Sequence, residues 1–454
     1  MTNVLKAFAG CIVVAAFAAA GCGSSSGGGG GTTPPVRPTP TPSPTSPPGQ
    51  KIQHVVILIQ ENRTVDSLFN GYPGADTVKQ GLGQDLNHPG KQITIPLKQM
   101  PLQMNITPMN THQQFLAEYD GGKMDGFNTV EVEHNPGVYV YQYANPADVQ
   151  PYWDLAKQYV LADHTFSTQG SSSFTGHQDL IAGGTLINST QAIIDNPSNQ
   201  PWGCDSPKGT VTSLITTAGD YMPNAGPFPC FTYKTLRDLL DAKGVSWKYY
   251  APVIGTDFGD LWSAFDAIKQ VRYGPEWQNN VSSVHNLLGD ISGGKLASVV
   301  WVAPDFANSD HPGSKPDSGP SWIAQVVNAI GGSQYWNTSA VFVVWDDWGG
   351  LYDHVPPPQL DYQGLGIRVP MLIVSPYAKK GVVSHTQYEF GSLVKFVEST
   401  WSLGSLGTTD VRANPVTGAF NFKQNPRPFS AIPSKYSRSY FLHQRPSLRA
   451  PDDD

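Results

Sequence analysis

The chain alternates between dense apolar runs and segments with apolar residues at helical spacing. Residues 52–60 read Ile-Gln-His-Val-Val-Ile-Leu-Ile-Gln, and residues 296–303 read Leu-Ala-Ser-Val-Val-Trp-Val-Ala. Residues 341–344, 369–376 and 245–250 are similar short runs. Near-continuous β-branched runs of this length predict strands buried on both faces, as in a parallel sheet. Between them, residues 148–160 carry Tyr152, Leu155 and Tyr159 at a helical period, and residues 231–243, 321–330 and 391–401 also read as helices. Strand–helix alternation predicts an α/β fold with a mostly parallel central sheet covered by helices on both faces. Residues 72–110, rich in Gly, Pro, Asn and Gln, read as a long loop insertion; the stretch from Asn414 carries no assignable pattern.

Polar groups gather where these strands end. The run at 341–344 is followed by Trp345, Asp346, Asp347, a Gly pair, then Asp353, His354 and three prolines that stop regular structure. The run at 52–60 delivers Glu61, Asn62 and Arg63, and the run at 296–303 is followed by Asp310 and His311. In open α/β sheets ligands sit beyond the carboxyl ends of strands. Two carboxylates about 4 Å apart repel by roughly 4 kcal/mol at an effective dielectric of about 20, which favours a cation. One acidic strand end is ordinarily a solvated turn; recurrence at one sheet edge is not explained by packing. A Gly/Ser-rich turn at 170–173 runs into a helical segment, putting a hydroxyl at a helix N-terminus where free N–H groups favour an anion. Ser173 is the hydroxyl of interest by spacing, with Ser171, Ser172 and Thr175 as alternatives; the common use of this pattern is an N-cap serine. A lone histidine such as His112 is more often structural than a ligand.

Composition narrows the partners. A net charge of −7 with only 29 Lys+Arg argues against nucleic acid. Lys6, an apolar stretch at 7–20 and Ala19-Ala20-Gly21-Cys22 read as a lipoprotein-type signal peptide over 1–21, with Cys22 as lipid anchor. Residues 22–50, Gly/Ser- then Pro-rich, read as a membrane tether, followed by a catalytic domain over 51–435 and a tail over 436–454. Export to an oxidising compartment leaves Cys204 and Cys230 as an even pair, most simply one disulfide.

Asp, Glu, Asn and a hydroxyl form an oxygen-rich set suited to a divalent cation, with histidine adding borderline capacity. Displacement at phosphorus needs positioning and positive charge, and Arg63, His112 and His311 suit that as electrostatic partners. The motifs Glu61-Asn62-Arg63-Thr-Val-Asp66, Gly122-Lys-Met-Asp-Gly-Phe127, Asp310-His311-Pro312, Asp346-Asp347-x-Gly-Gly-x-Tyr-Asp-His-Val355 and Gly366-Ile-Arg-Val-Pro370 occur in that order. Together they resemble the bacterial phosphoesterase family, the phospholipase C and acid phosphatase A-type enzymes, over about residues 52–402. The resemblance implies an alkaline-phosphatase-like fold and a divalent metal held by Glu61, Asn62, Ser173, Asp346 and Asp347. It further implies a phospho-enzyme intermediate on Ser173, with His112, His311 and His354 contacting the phosphoryl group or holding the acids. Two departures stand out: Asp347 where many members have Glu, and Gly176-His177-Gln178 where many have Pro-Asn-Arg. The expectation is an exported metal-dependent phosphoric ester hydrolase acting on a phosphate monoester or a phospholipid. The alternative is a cell-surface binding protein that keeps the fold without turnover.

Overall fold

A computed structural model describes residues 51–445, except 105–106, 131, 133–138 and 256–258. The expected signal peptide, the tether with Cys22 and residues 446–454 lie outside the described residues. The described residues belong to one unit, Thr45–Asp454.

Nine strands form the central sheet: β1 (His54–Gln60), β2 (Val160–Phe166), β3 (Trp247–Ala251), β4 (Val281–Ser283), β5 (Val299–Val302), β6 (Ser339–Trp345), β7 (Arg368–Val374), β8 (Val382–Ser384) and β9 (Tyr388–Glu389). Their order is β4-β3-β5-β1-β6-β7-β2-β8, with β9 also on β2. All run parallel except β7, which is antiparallel to both β6 and β2. The reversal has a simple cause. Parallel neighbours need a crossover, usually a helix, whereas the segment joining β6 to β7 contains none. Pro370, which lacks an N–H, sits where the β7–β2 register slips.

Every residue of β6 and β7 is buried, as is β1 from Val55 on. Each fully buried Val, Ile or Leu of these strands contributes about 1.5–3 kcal/mol of apolar transfer, so the sheet centre is the dominant stabilising element. The helices that matter here are α1 (His112–Tyr119), α2 (Gln150–Gln158), α3 (Ser173–Ala182), α4 (Leu236–Ala242), α5 (Gly319–Gly331), α6 (Phe390–Trp401) and α7 (Arg438–His443). The last of these lies in the stretch that carried no sequence assignment. It packs Phe441 against Trp322 of α5, ring centroids 5.3 Å apart.

Two segments differ from the sequence reading. β2 was hidden because Asp163, His164 and Thr165 interrupt its apolar run, so it read as the exit of the preceding helix. The expected loop at 72–110 contains a hairpin, Gln80–Gln84 with Gln92–Pro96, and the strand Lys98–Met100. Glycines disguised the hairpin: a Cβ on Gly81 would lie 2.5 Å from the Tyr352 ring, so this strand needs Gly where an aromatic ring lies against it.

Cys204 and Cys230, 26 residues apart, form the expected disulfide. Its loop carries two strands, Ser213–Thr216 and Tyr221–Met222, of a small antiparallel sheet. On the chain-entropy model, Cys204→Ala/Cys230→Ala should lower unfolding free energy by roughly 3 kcal/mol. Chemical denaturation of the oxidised and double-variant proteins measures this; coincident curves would show that the bridge contributes nothing.

Candidate active site

The site follows from one register. β1 and β6 are parallel neighbours with Gln60 opposite Trp345. The next residues, Glu61 and Asp346, therefore leave the sheet side by side. Asn62 adopts a left-handed conformation (φ 59°), and its N–H donates to Asp346 Oδ1 at 3.1 Å. The Asp347 N–H donates to the same oxygen at 2.8 Å. Gly349, also left-handed (φ 60°), turns the chain back over Asn62: a Cβ there would stand 2.5 Å from Asn62 Cβ. The Gly pair after the acids thus answers to a close approach between the two strand ends.

Helix α3 brings the hydroxyl. A Cβ on Gly176 would sit 2.7 Å from the Asp346 carbonyl oxygen, so this glycine lets the first turn of α3 rest on the end of β6. Ser173 at that first turn donates from Oγ to Asp347 Oδ2 at 3.0 Å. The opposite oxygen, Asp347 Oδ1, accepts from Asn110 Nδ2 at 2.9 Å and from the Gly349 N–H at 2.6 Å. The other candidate hydroxyls are engaged elsewhere. Ser171 Oγ bonds Asp195, Ser172 Oγ donates to the Asn110 carbonyl, and Thr175 Oγ1 donates to Ser171 Oγ and the Ser172 carbonyl. Of the four, Ser173 is the one bonded to the acid pair.

His177 was not named as a site residue from sequence, and it belongs here. Four positions after Ser173, it lies on the same face of α3. Its Nε2 is 3.0 Å from Glu61 Oε1 and 3.7 Å from Asp346 Oδ2. Burial pushes its pKa down to about 4, against the opposing pull of Asp346, so the imidazole is neutral at pH 7. Asp346 is pushed well up, first by burial and then by the neighbouring Glu61 carboxylate. Asp346 Oδ2 is buried without a hydrogen-bond partner, and the residue's ion-pair contact is this neutral histidine. A carboxylate in that state lacks a positive charge. Glu61, His177 and Asp346 present ligand atoms within 4.8 Å of one another, all buried, a group able to hold a metal ion. The donor set is mostly carboxylate oxygen, which fits a divalent cation.

Asn110 and Asp195 were also missed. Asp195 (φ 62°) accepts the His112 N–H at 2.6 Å and the Tyr221 hydroxyl at 2.6 Å, besides bonding Ser171. It therefore fixes the start of α1 against the serine turn. Neither residue stood in a recognisable motif.

The remaining expected residues divide. His112 is held beside the serine turn, Nδ1 2.8 Å from the Gly170 carbonyl, with burial lowering its pKa. His311 packs between Trp262 and Phe306 with Nδ1 2.7 Å from the Pro312 carbonyl. Its loop is tied to the end of β1 by the Glu61 N–H donating to Ser309 O at 2.8 Å. Three expected residues point elsewhere. The Arg63 guanidinium is turned to the Leu102 carbonyl (3.0 Å) and Met104 Sδ (2.7 Å). His354 Nδ1 contacts Asp66 at 2.7 Å, and Asp353 takes a two-pronged ion pair with Arg368. None of these side-chain contacts is with the acid pair at 346–347. Asp310 (φ 68°) accepts from Tyr152 Oη at 2.6 Å and Trp345 Nε1 at 3.2 Å, beneath the strand end.

A family model, the phosphoesterase family, matches residues 52–404. The chain belongs to the phosphoesterase family. Among curated relatives, a non-hemolytic phospholipase C of Pseudomonas aeruginosa is 25% identical over 84% of this chain and 59% of its own length. Phospholipase C A of Mycobacterium tuberculosis is 23% identical over 83% of this chain and 78% of its own. Non-specific phospholipase C1 of Arabidopsis thaliana is 26% identical over 43% and 42%. The chain thus spans about three-fifths of the non-hemolytic phospholipase C it matches. A solved protein of the alkaline phosphatase superfamily from Vibrio parahaemolyticus covers 81% of this chain and 72% of its own at 10% identity, with a TM-score of 0.38.

Burial pushes the Asp310 carboxyl up to about 6, against a usual value near 4. With the folded pKa raised, the stability this group confers is full below the unfolded pKa and is lost as pH rises through about 6. Asp310→Asn should therefore gain on the wild type by roughly 2 kcal/mol between pH 4 and 7. Paired urea titrations at the two pH values measure it; parallel pH profiles would contradict it.

Proposed function

We propose that this phosphoesterase hydrolyses phosphoric esters through the Ser173 hydroxyl, with a divalent cation at the two strand ends. The observation that carries the reading is the 3.0 Å hydrogen bond from Ser173 Oγ to Asp347, one residue from the Asp346 that faces Glu61 and His177. Glu61, Asn62, Asp346 and Asp347 would hold the cation together with the serine oxygen. Such a cation lowers the hydroxyl's pKa and offsets charge on the phosphoryl oxygens.

The chain's own groups supply the rest. Asp347 orients the hydroxyl and accepts its hydrogen bond, while Asn110 and the Gly349 N–H keep that carboxylate in place. Attack by Oγ forms the serine–phosphorus bond and breaks the ester P–O bond; the alcohol leaves with a proton. Water then cleaves the serine O–P bond, releasing phosphate from a monoester or the phosphorylated headgroup from a phospholipid, and restores the serine. The start of α3, with N–H groups not yet paired within the helix, favours the phosphoryl anion. His112 and His311, whose Nδ1 atoms face main-chain carbonyls, would direct Nε2 to the phosphoryl group. The named relatives support a phospholipid as one substrate class, and a phosphomonoester uses the same chemistry.

The N-terminal pattern supports a second proposal, that the protein is exported and anchored through lipid on Cys22. Cys22→Ala should release it from the membrane fraction into the medium, which fractionation and immunoblotting would read; unchanged membrane retention would rule the anchor out.

Paired initial-rate assays on a phosphate monoester and on phosphatidylcholine, each with and without chelator, test the main reading. The expected result is chelator-sensitive release of phosphate or diacylglycerol. Ser173→Ala should lower kcat by at least about 10³-fold with the metal still bound. Absence of both activities in metal-loaded protein would favour the non-catalytic binding protein. A Ser173→Ala variant at the wild-type rate would move the nucleophile elsewhere.

A further inference from the structure

Strand β2 carries an acid and an imidazole that the proposed chemistry does not use. Asp163, in the middle of β2, is fully buried. Its Oδ1 lies 2.8 Å from His385 Nδ1, just past β8, and its Oδ2 accepts the Asp76 N–H at 2.8 Å. Asp76 in turn places Oδ2 3.0 Å from His164 Nε2. Three chain segments thus send two imidazoles and two carboxylates to one point.

The charge there is incomplete. Among the described residues Asp163 has no Lys or Arg partner, and its ion-pair contact is His385, whose side chain is 55% exposed. A buried carboxylate that faces an imidazole in place of a Lys or Arg lacks a permanent counter-charge. Asp76 Oδ1 also lies 3.2 Å from His354 Nε2, while Arg368 approaches the Asp76 carboxylate only at 3.8 Å and is committed to Asp353.

The geometry suits an ion. Asp163, His164 and His385 offer ligand atoms all within 4.8 Å of one another. A tetrahedral ion with bonds of about 2.0–2.1 Å holds its donors roughly 3.4 Å apart. The site therefore needs a contraction of at most about 1.4 Å, and the side chains of His164 and His385 are partly exposed. Two imidazole nitrogens and one carboxylate oxygen select a zinc-class cation; magnesium and calcium prefer all-oxygen shells.

We propose that Asp163, His164 and His385, with water completing the shell, form a second metal site that binds a zinc-class divalent ion. The ion takes the place of the His–Asp hydrogen bonds and accepts one nitrogen lone pair from each imidazole. It supplies the positive charge that Asp163 lacks. It also fastens the segment after β8 to β2. This inference does not rest on the catalytic reading.

The test uses the full chain, stripped with chelator and then titrated with zinc by calorimetry, with bound zinc counted by mass spectrometry after desalting. Asp346→Ala serves as background, so that the strand-end site does not contribute. That variant should retain one equivalent of zinc, and adding His164→Ala and His385→Ala should remove it. Zinc should raise the melting temperature of the first protein and not of the second. His385→Gln alone, a change at a largely exposed side chain, should weaken zinc binding in that background by at least roughly 10-fold. No bound zinc in folded Asp346→Ala, or equal zinc with and without the two histidines, would overturn the site. If the combined variant fails to fold, an unchanged affinity in His385→Gln overturns it as well.

Discussion

The structure depends on the parallel pairing of β1 with β6, in register to its last residue pair. That pairing sets Glu61 beside Asp346, two carboxylates in a buried corner where their repulsion is not screened by water. The fold holds this arrangement because β1 and β6 lie in the middle of a fully covered sheet. A slip of one residue would turn every buried Val of β6, and Phe342, to the opposite face. The cost of the clustered charge is met locally. Asp346 Oδ1 takes two main-chain N–H groups, and Asp347 takes an N–H, an amide and the serine hydroxyl. What remains unmet is the other Asp346 oxygen, which faces a neutral imidazole. That residue of unbalanced charge is the physical reason to place a cation here.

The same device recurs around the site. A buried acid accepts several donors from distant segments and so fixes a loop that has little apolar surface of its own. Asp195 ties α1 to the serine turn. Asp66 accepts the Val78 and His354 N–H groups. Asp310 draws Tyr152 and Trp345 together under the strand end. Such acceptors hold rotamers and backbone in place, which a reaction that runs on positioning requires.

Sequence made part of this legible. The runs at 52–60 and 341–344 are apolar because both faces of the sheet are covered, and acids straight after such runs have no packing explanation. Ser173 was legible by its spacing. What singles it out from Ser171, Ser172 and Thr175 is three-dimensional, since those hydroxyls bond Asp195, the Asn110 carbonyl and each other. His177 was legible in principle: a Ser and a His four residues apart on one helix share a face. Its meaning was masked because it stood where many relatives carry Asn. Arg63 and His354 misled for the opposite reason. Arg63 directly follows Asn62 in sequence, yet its guanidinium turns to Leu102 and Met104, and His354, from the same motif as the acid pair, is bonded to Asp66. Asp195 and Asn110 carried no local signal, as their role exists only through contacts made across the fold.

The most direct test of the account is a crystal of the protein grown with a divalent cation that scatters anomalously, such as manganese, and a phosphate analogue. The account predicts an anomalous peak bounded by Glu61, Asp346 and Asp347, with Ser173 Oγ between the ion and the analogue's phosphorus or vanadium. A bound analogue with no ion at the ends of β1 and β6, or with Ser173 turned away from it, would contradict it.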